Sequence, residues 1–317
     1  MAMAVLRSPE EWVARFGSPR RRSVLTIGNF DGCHRGHQQI LRSVVDQARA
    51  SDALGAVLTF FPHPARVLRP AEAPALLETL DQRLAAIGAT AIDAVLVLPF
   101  NQELANVSPE DFVRRILLDT MAAQAVLVGG NFRFGHGGAG DIHLLGELGK
   151  RWGFTAETVP PVTENGVVIS STAIRAAIRE GRVEDARKML GRPYALAGEI
   201  RTGTGQGRKL VVPTLNLATE QEVLPKNGVY ATEATVDGKT YRAATNVGVR
   251  PTFDGGGRVT IESYFFDFNE DLISGKLEVR FWQRLRDERK FSGPAELREQ
   301  VLRDIEEARR FFAAEVH

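Results

Sequence analysis

Ten consecutive residues, Gly28-Asn29-Phe30-Asp31-Gly32-Cys33-His34-Arg35-Gly36-His37, have the types and spacing that phosphate chemistry needs. Glycines at 28, 32 and 36 let backbone approach a phosphate where a side chain would collide. Two histidines three apart add donors that can be aimed at charge growing on a phosphoryl oxygen. By itself His-x-x-His reads equally as a metal pair or as surface histidines, so the flanking elements decide. Ser23 to Ile27 predicts a buried parallel strand. Gln38 to Ala50 predicts a helix with an apolar face at Ile40, Leu41, Val44 and Val45. A strand, a glycine-rich turn and a helix bring free N–H groups and a partial positive charge to the turn, where phosphate settles. The chemistry this implies is adenylyl transfer.

The same alternation continues through the first half. Strands are predicted at Ala56 to Phe61, Ala94 to Leu98 and Ala125 to Val128, with helices at Leu77 to Ile87 and Pro109 to Leu118. This is the pattern of a doubly wound, Rossmann-like parallel sheet, in which ligands lie beyond the carboxyl ends of the strands. Three loops converge on that rim: Phe60-Phe61-Pro62-His63-Pro64, Pro99-Phe100-Asn101, and Gly129-Gly130-Asn131-Phe132-Arg133-Phe134-Gly135. Ser170-Ser171-Thr172 opens a further helix carrying Arg175 and stopping at Gly181. Such hydroxyls cap helices, and with Arg175 they could also grip a polyphosphate.

Beyond Gly191-Arg192-Pro193-Tyr194 the texture changes. Short β-type runs recur at Gly228 to Thr235, Thr240 to Thr245, Val259 to Phe268 and Lys276 to Phe281, with Asp237-Gly238 as a hairpin turn. Spacing of this kind without helices predicts an antiparallel barrel. Pro294 to Phe312 has helical periodicity through Leu297, Val301, Leu302 and Ile305 and is expected to pack on the barrel. The predicted domains are 1–186 and 187–317.

Composition excludes several classes. The 317 residues carry a net charge of +1 with both signs interspersed, so no polyanion-binding face is announced and no nucleic-acid partner is expected. Arg20-Arg21-Arg22 reads as a solvated loop. No apolar run approaches the ~20 residues of a membrane span, and Met1 to Arg7 lacks a signal-peptide core. The single cysteine, Cys33, allows no intrachain disulfide and suggests a reducing compartment. In the phosphate loop it reads as a small tolerated residue, since phosphoryl chemistry needs no thiol. A cytoplasmic protein is expected; whether it forms a homo-oligomer is left open.

Taken together, these motifs resemble the bacterial bifunctional riboflavin kinase/FAD synthetase family over nearly the whole chain. The resemblance implies an α/β nucleotidyltransferase that adenylylates FMN, followed by a β-barrel riboflavin kinase with a C-terminal helix. The first site would bind ATP through Gly28, Asn29, Phe30, Asp31, Gly32, His34, His37, Ser171, Thr172 and Arg175. His34 and His37 would contact the phosphates as catalytic residues, with flavin near Phe61, Pro62, His63 and Asn131. In the kinase, the glycine loop Gly203, Gly205, Gly207 with Arg208 would hold ATP. Thr214 and Asn216 would serve nucleotide and Mg²⁺, Glu262 would be the catalytic base, and Arg286, Glu288 and Phe291 would lie on the flavin side. Asn246-Val247-Gly248 and Arg250-Pro251-Thr252-Phe253 match a further family segment. Val211-Val212 stands where the family usually has Gly-Phe, and Leu215 replaces a small alanine.

The implied reactions use ATP as co-substrate, converting riboflavin to FMN and FMN to FAD with release of pyrophosphate. The ribityl hydroxyl is neutral and needs a base, for which Glu262 is suited. FMN phosphate is largely ionised already, its second pKa being about 6, and needs alignment and charge screening instead. Three alternatives share some of these features: an enzyme retaining one activity, a flavin- or nucleotide-binding sensor, and a class-I aminoacyl-tRNA synthetase. A synthetase would require a tRNA-binding surface and a lysine-rich second motif, which the chain does not display. A sensor would not require Thr214, Asn216 and Glu262 together.

Overall fold

The computed structural model describes residues 2–201, 214–236, 238–251, 257–266, 274–289 and 291–315. The chain divides into two compact units, Met1–Ser170 and Ser171–His317.

The first unit is built on six parallel strands: β1 (Ala4–Leu6), β2 (Ser23–Ile27), β3 (Leu54–Phe61), β4 (Ala94–Pro99), β5 (Ala123–Gly129) and β6 (Thr155–Val159). Their order is β1-β4-β3-β2-β5-β6. Alternate residues of one strand enter different cores, as a sheet covered on both faces requires. Leu25 and Ile27 join Trp12 of α1 (Pro9–Phe16), Phe112 of α6 (Pro109–Phe112) and Leu145 of α7 (Ile142–Trp152). Val24 instead joins Leu41 and Val44 of α2 (Arg35–Ala50) and Leu84 of α4 (Leu80–Gly88). The short helices α3 (Pro64–Leu68) and α5 (Gln102–Ala105) follow β3 and β4. The chain winds outward from β2 through β3 to β4, then returns to the other side as β5. The switch point therefore lies where the Gly28 and Gly129 loops leave their strands.

Local bonds move two predicted helix starts. Helix α2 begins three residues before the expected Gln38, because His34 is its N-cap and accepts from the His37 backbone N–H. Helix α4 begins at Leu80, because Thr79 and Gln82 form a reciprocal capping box. Helix α6 continues with wider turns over Val113–Thr120, where Met121 N–H reaches Ile116 C=O at 3.0 Å. Arg20, expected to be solvated, donates to Leu118 and Asp119 carbonyls at the end of this helix. Strand β1 and helices α1 and α7 were not among the elements expected from sequence. Beyond β6, a small hairpin pairs β7 (Thr163–Glu164) with β8 (Val167–Val168).

The second unit starts with α8 (Ser171–Arg179) and α9 (Val183–Leu190). Its six strands are β9 (Tyr194–Arg201), β10 (Thr214–Ala218), β11 (Gly228–Val236), β12 (Lys239–Pro251), β13 (Gly257–Phe265) and β14 (Lys276–Arg286). They close into an antiparallel barrel in the order β10-β13-β12-β11-β14-β9, leaving no open sheet edge. The hairpin turn falls where predicted, pairing Val236 with Lys239 and holding Gly238 at φ 80°. Helix α10 (Pro294–Ala314) covers the barrel through Ile305, Ala308 and Phe312, which pack on Val229, Ala231 and Ala244. Helix α9 is tied to β14 by Glu184, which accepts the Arg284 backbone N–H at 2.9 Å.

One ion pair fixes α10 to the barrel. Arg286 donates from Nε and Nη2 to the two Asp304 oxygens at 2.7 and 2.6 Å, and Asp304 is 3 % exposed. Breaking one side of such a buried fork typically costs about 3–5 kcal/mol, because the other charge is stranded. The Asp304→Ala variant is therefore expected to lower the second unit's melting temperature by roughly 6–20 °C, measurable by calorimetry, while the first unit's transition stays in place.

Candidate active site

The carboxyl-end loops of β2, β3 and β5 open onto a cavity of about 1200 Å³. This exceeds the roughly 300–1,000 Å³ of a typical single-ligand pocket and suits two substrates together. Gly28, Asn29, Phe30, His34, Gly36 and His37 line it, as do Asn131 and Ser170. One part of its wall is apolar, formed by residues that include Phe60, Leu68, Phe100, Leu104 and Phe132. Among the described lining residues there is no carboxylate, and the permanent cations are Arg69 and Arg133. Both arginines are ion-paired, Arg69 with Glu72 and Arg133 with Asp141.

The two histidines are organised by the helix start. His34 Nδ1 accepts the His37 backbone N–H at 3.3 Å, so a neutral His34 carries its proton on Nε2. The rings stack with centroids 3.7 Å apart and planes 17° from parallel. Stacked imidazoles so close disfavour double protonation. Burial, then His34, then the Arg83 guanidinium push His37 well below the ordinary imidazole pKa, so it is neutral at pH 7. Phe30 meets the His37 ring edge-on at 5.1 Å and fixes its other side.

Several predicted residues have a different occupation. Gly32 does not line the cavity; it holds the turn at φ 81°. Asp31 is buried beneath the loop and accepts the Leu77 backbone N–H at 3.0 and 3.3 Å. Of the segment expected beside flavin, Phe61, Pro62 and His63 are absent from the lining, whereas Phe60, Pro64 and Leu68 contribute. The Asn29 and His63 side chains meet at 3.1 Å, linking the first loop to the second. Ser171 and Thr172 open α8, with Arg175 one turn along, in the second unit. Cys33 is fully buried in the first core. Among the described residues no group of three His, Cys, Asp or Glu could hold a metal ion.

The barrel presents a second polar cluster. On β10, Thr214 and Asn216 alternate with buried Leu215 and Leu217, so the extra volume of Leu215 faces the barrel interior. Asn216 pairs in register with Glu262 on β13, and Glu262 pairs with Asn246 on β12. Directly opposed residues place these three on one face with Cβ atoms about 4.5–5.5 Å apart along the row. Gly248 lies two residues beyond Asn246 on the same face. A Cβ there would come within 2.3 Å of Glu288 Oε1, so any other residue at this position would displace that carboxylate. Glu288 also accepts from Asn227 at 3.1 Å. Arg286 is engaged by Asp304 and by the Asp287 carbonyl, which makes it an anchor of its loop. Phe291 lies under the Arg289 guanidinium at 4.8 Å. Gly203, Gly205, Gly207 and Arg208, with Val211 and Val212, lie outside the described residues. Phe60 lies in a loop expected at the rim, and Asn246 and Gly248 in a segment matched to the family without a role; strand register gives these two a place beside Glu262, and the cavity lining adds Leu68.

Two family models match the chain, FAD synthetase over residues 18–173 and riboflavin kinase over residues 190–312. Bifunctional riboflavin kinase/FMN adenylyltransferases align with it almost end to end. The Pseudomonas fluorescens protein is 37% identical, covering 94% of this chain and 95% of that relative. The Escherichia coli (strain K12) protein is 34% identical over 93% and 94%, and the Bacillus subtilis (strain 168) protein 34% over 92% and 93%. A crystal structure titled as a macrolide-efflux protein from Streptococcus pneumoniae superposes with a TM-score of 0.83 at 28% identity, covering 96% of this chain and 97% of that one. Among the described residues of the present chain no helix is long and apolar enough to cross a membrane. With both family models matched in order and relatives aligned over almost the whole chain, the chain belongs to the bifunctional riboflavin kinase/FMN adenylyltransferase family.

Proposed function

We propose that the cavity of the parallel sheet performs the adenylylation of FMN and that the Glu262 face of the barrel performs the phosphorylation of riboflavin. The contrast in titratable groups carries this assignment. No carboxylate lines the first cavity among the described residues, whereas Glu262 stands in a cross-strand row with Asn216 and Asn246. A phosphate nucleophile needs no base; a hydroxyl nucleophile does.

In the first site His34 and His37 donate to the ATP phosphates, and Gly28 and Gly36 leave room for backbone approach. Ser171, Thr172 and Arg175 hold the triphosphate, and Asn131 lies on the flavin side near the Phe61 to Pro64 loop. A neutral His37 offers one N–H to the phosphate without adding a buried charge of its own. In the second site Glu262 accepts the ribityl proton. Thr214 and Asn216 present neutral oxygen donors on one strand face, which fits a hard cation such as Mg²⁺. Bound there, Mg²⁺ would draw charge from the transferring phosphoryl group. Gly203, Gly205, Gly207 and Arg208 are proposed to hold its nucleotide. Glu288, close over Gly248, and Phe291 border the flavin, with Arg286 shaping their loop. A cytoplasmic location is inferred from the ATP requirement and the single, buried cysteine. The functional boundary is proposed at 186/187, because Ser171 to Arg175 serve the first reaction although α8 and α9 group with the barrel.

The His37→Ala variant is expected to lose about 10²- to 10³-fold in FAD formation from FMN while phosphorylating riboflavin normally. Chromatography of both products from one preparation checks this, and undiminished adenylylation by folded protein would overturn the first site. Glu262→Gln should show the reverse, since the amide keeps the shape but accepts no proton. Wild-type kinase turnover in that variant would move the base elsewhere.

Fragments separate the boundary from the activity. Residues 187–317 are expected to fold and convert riboflavin to FMN without producing FAD. Residues 171–317 should melt higher, because they keep Val183, Ala186 and the Glu184 bond to Arg284. A soluble, cooperatively melting 171–317 fragment without kinase activity would show that the first unit contributes to the kinase site.

A further inference from the structure

Helix α4 packs through Leu84 and Ile87 into the core that also holds Phe30 and Cys33 of the phosphate loop, and it carries a guanidinium that the chemistry described above does not use. Arg83, on α4, is 1 % exposed, and its Nε and Nη1 have no hydrogen-bond partner. As a filler of core volume such a group is a poor choice, since leucine or methionine would occupy the space without burying charge. Its electrostatic neighbours are specific. Burial lowers the Arg83 pKa, while Asp31, Glu78 and the Cys33 thiol act to raise it, and arginine stays charged at any physiological pH. Asp31 and Cys33 belong to the loop that carries the site; Glu78 precedes the cap of α4.

That loop needs holding. Phe30 and Cys33 adopt φ values of 51° and 35°, in the left-handed region that costs a non-glycine residue about 1–3 kcal/mol. Such a conformation persists only where surrounding contacts over-determine it. Cys33 N–H bonds to Phe30 C=O at 2.9 Å, and Gln38 Nε2 bonds to Cys33 C=O at 2.9 Å. Asp31 receives the Leu77 N–H. The Phe30 ring, placed by this turn, supports His37.

We propose that Arg83 is a positioning residue for adenylyl transfer, its buried charge holding Asp31 and hence the Phe30 to Cys33 turn that places His37. The proposal rests on the assignment of the first cavity to that reaction. Arg83 and His34, whose ring stacks on that of His37, together oppose protonation of His37. Asp31 and Glu78 are the carboxylates that offset Arg83. Its action is therefore twofold, on the shape of the loop and on the charge state of one histidine.

The test compares full-length Arg83→Gln and Arg83→Lys with the unmodified protein. Arg83→Gln is expected to lower kcat/KM for ATP in FAD formation by about tenfold or more, the effect of a small misplacement of reacting groups. Riboflavin phosphorylation in the same preparation should not change. NMR titration should show His37 moving toward the ordinary imidazole range in Arg83→Gln. Arg83→Lys, whose ammonium Asp31 and Glu78 hold in the charged form, should recover both readouts to within about threefold of wild-type kcat/KM and near the wild-type titration. A folded Arg83→Gln protein with unchanged kcat/KM for ATP overturns the proposal, as does an unmoved His37 titration. If Arg83→Gln does not fold, Arg83→Lys still decides: a folded lysine variant that has lost tenfold shows that the guanidinium shape matters and the charge does not. Failure of the site assignment is distinguishable, because His37→Ala would then retain adenylylation whatever Arg83 does.

Discussion

One hydrogen bond, from the His37 backbone N–H to His34 Nδ1, joins the fold of the first unit to its chemistry. It ends the loop and starts α2, satisfying an amide that a helix otherwise leaves open. The same bond sets the His34 tautomer and brings the two imidazoles into a stack. Everything around it serves to keep that geometry. Phe30 supports His37, Asp31 anchors the turn to the segment before α4, and the parallel strands β2 and β5 fix where the loops emerge. Under the proposed assignment, the helix N-terminus that binds phosphate has its own cap residue as a phosphate donor.

The two units solve different problems in phosphorus chemistry with different elements. In the first, the attacking phosphate arrives ionised, and the sheet's switch point supplies glycine backbone, a helix start and neutral histidines in a cavity without a carboxylate among its described lining. In the second, the attacking hydroxyl must lose a proton. A closed barrel suits that task, since alternate residues of β10, β12 and β13 face away from the interior and stay in register. Asn216, Glu262 and Asn246 are aligned by the same ladder bonds that close the barrel.

Two arginines, one partly exposed and one buried, show how charge is handled in the two units. Arg286 faces Asp304 in a forked pair, and its remaining terminal nitrogen donates to a carbonyl, so its charge ties α10 to β14. Arg83 is deeper and leaves two nitrogens without bonds, with carboxylates acting on it through the field. The first arrangement is a mechanical fastening. In the proposal above, the second brings a positive charge to a strained turn and so pre-organises it for phosphate transfer.

The residue types and order of the chain determined the class of chemistry, the alternation of strand and helix and the turn between β11 and β12, and they marked His34, His37, Thr214, Asn216 and Glu262 as candidates. These are local patterns, written within a few residues of one another. The tertiary structure alone decided where α2 begins, that Asp31 turns under the loop, that Leu215 points into the barrel, and that Arg286 belongs to Asp304. It also decided that Phe60 and Leu68, with Phe100 from another loop, form one apolar wall. Spacing along the chain cannot give these, because strand register and partner choice depend on segments tens of residues apart that meet only when the sheet and the barrel close. The charge state of His37 is of the same kind: it follows from burial, from a ring stacked at the helix start, and from a guanidinium 46 residues away in sequence, between His37 and Arg83.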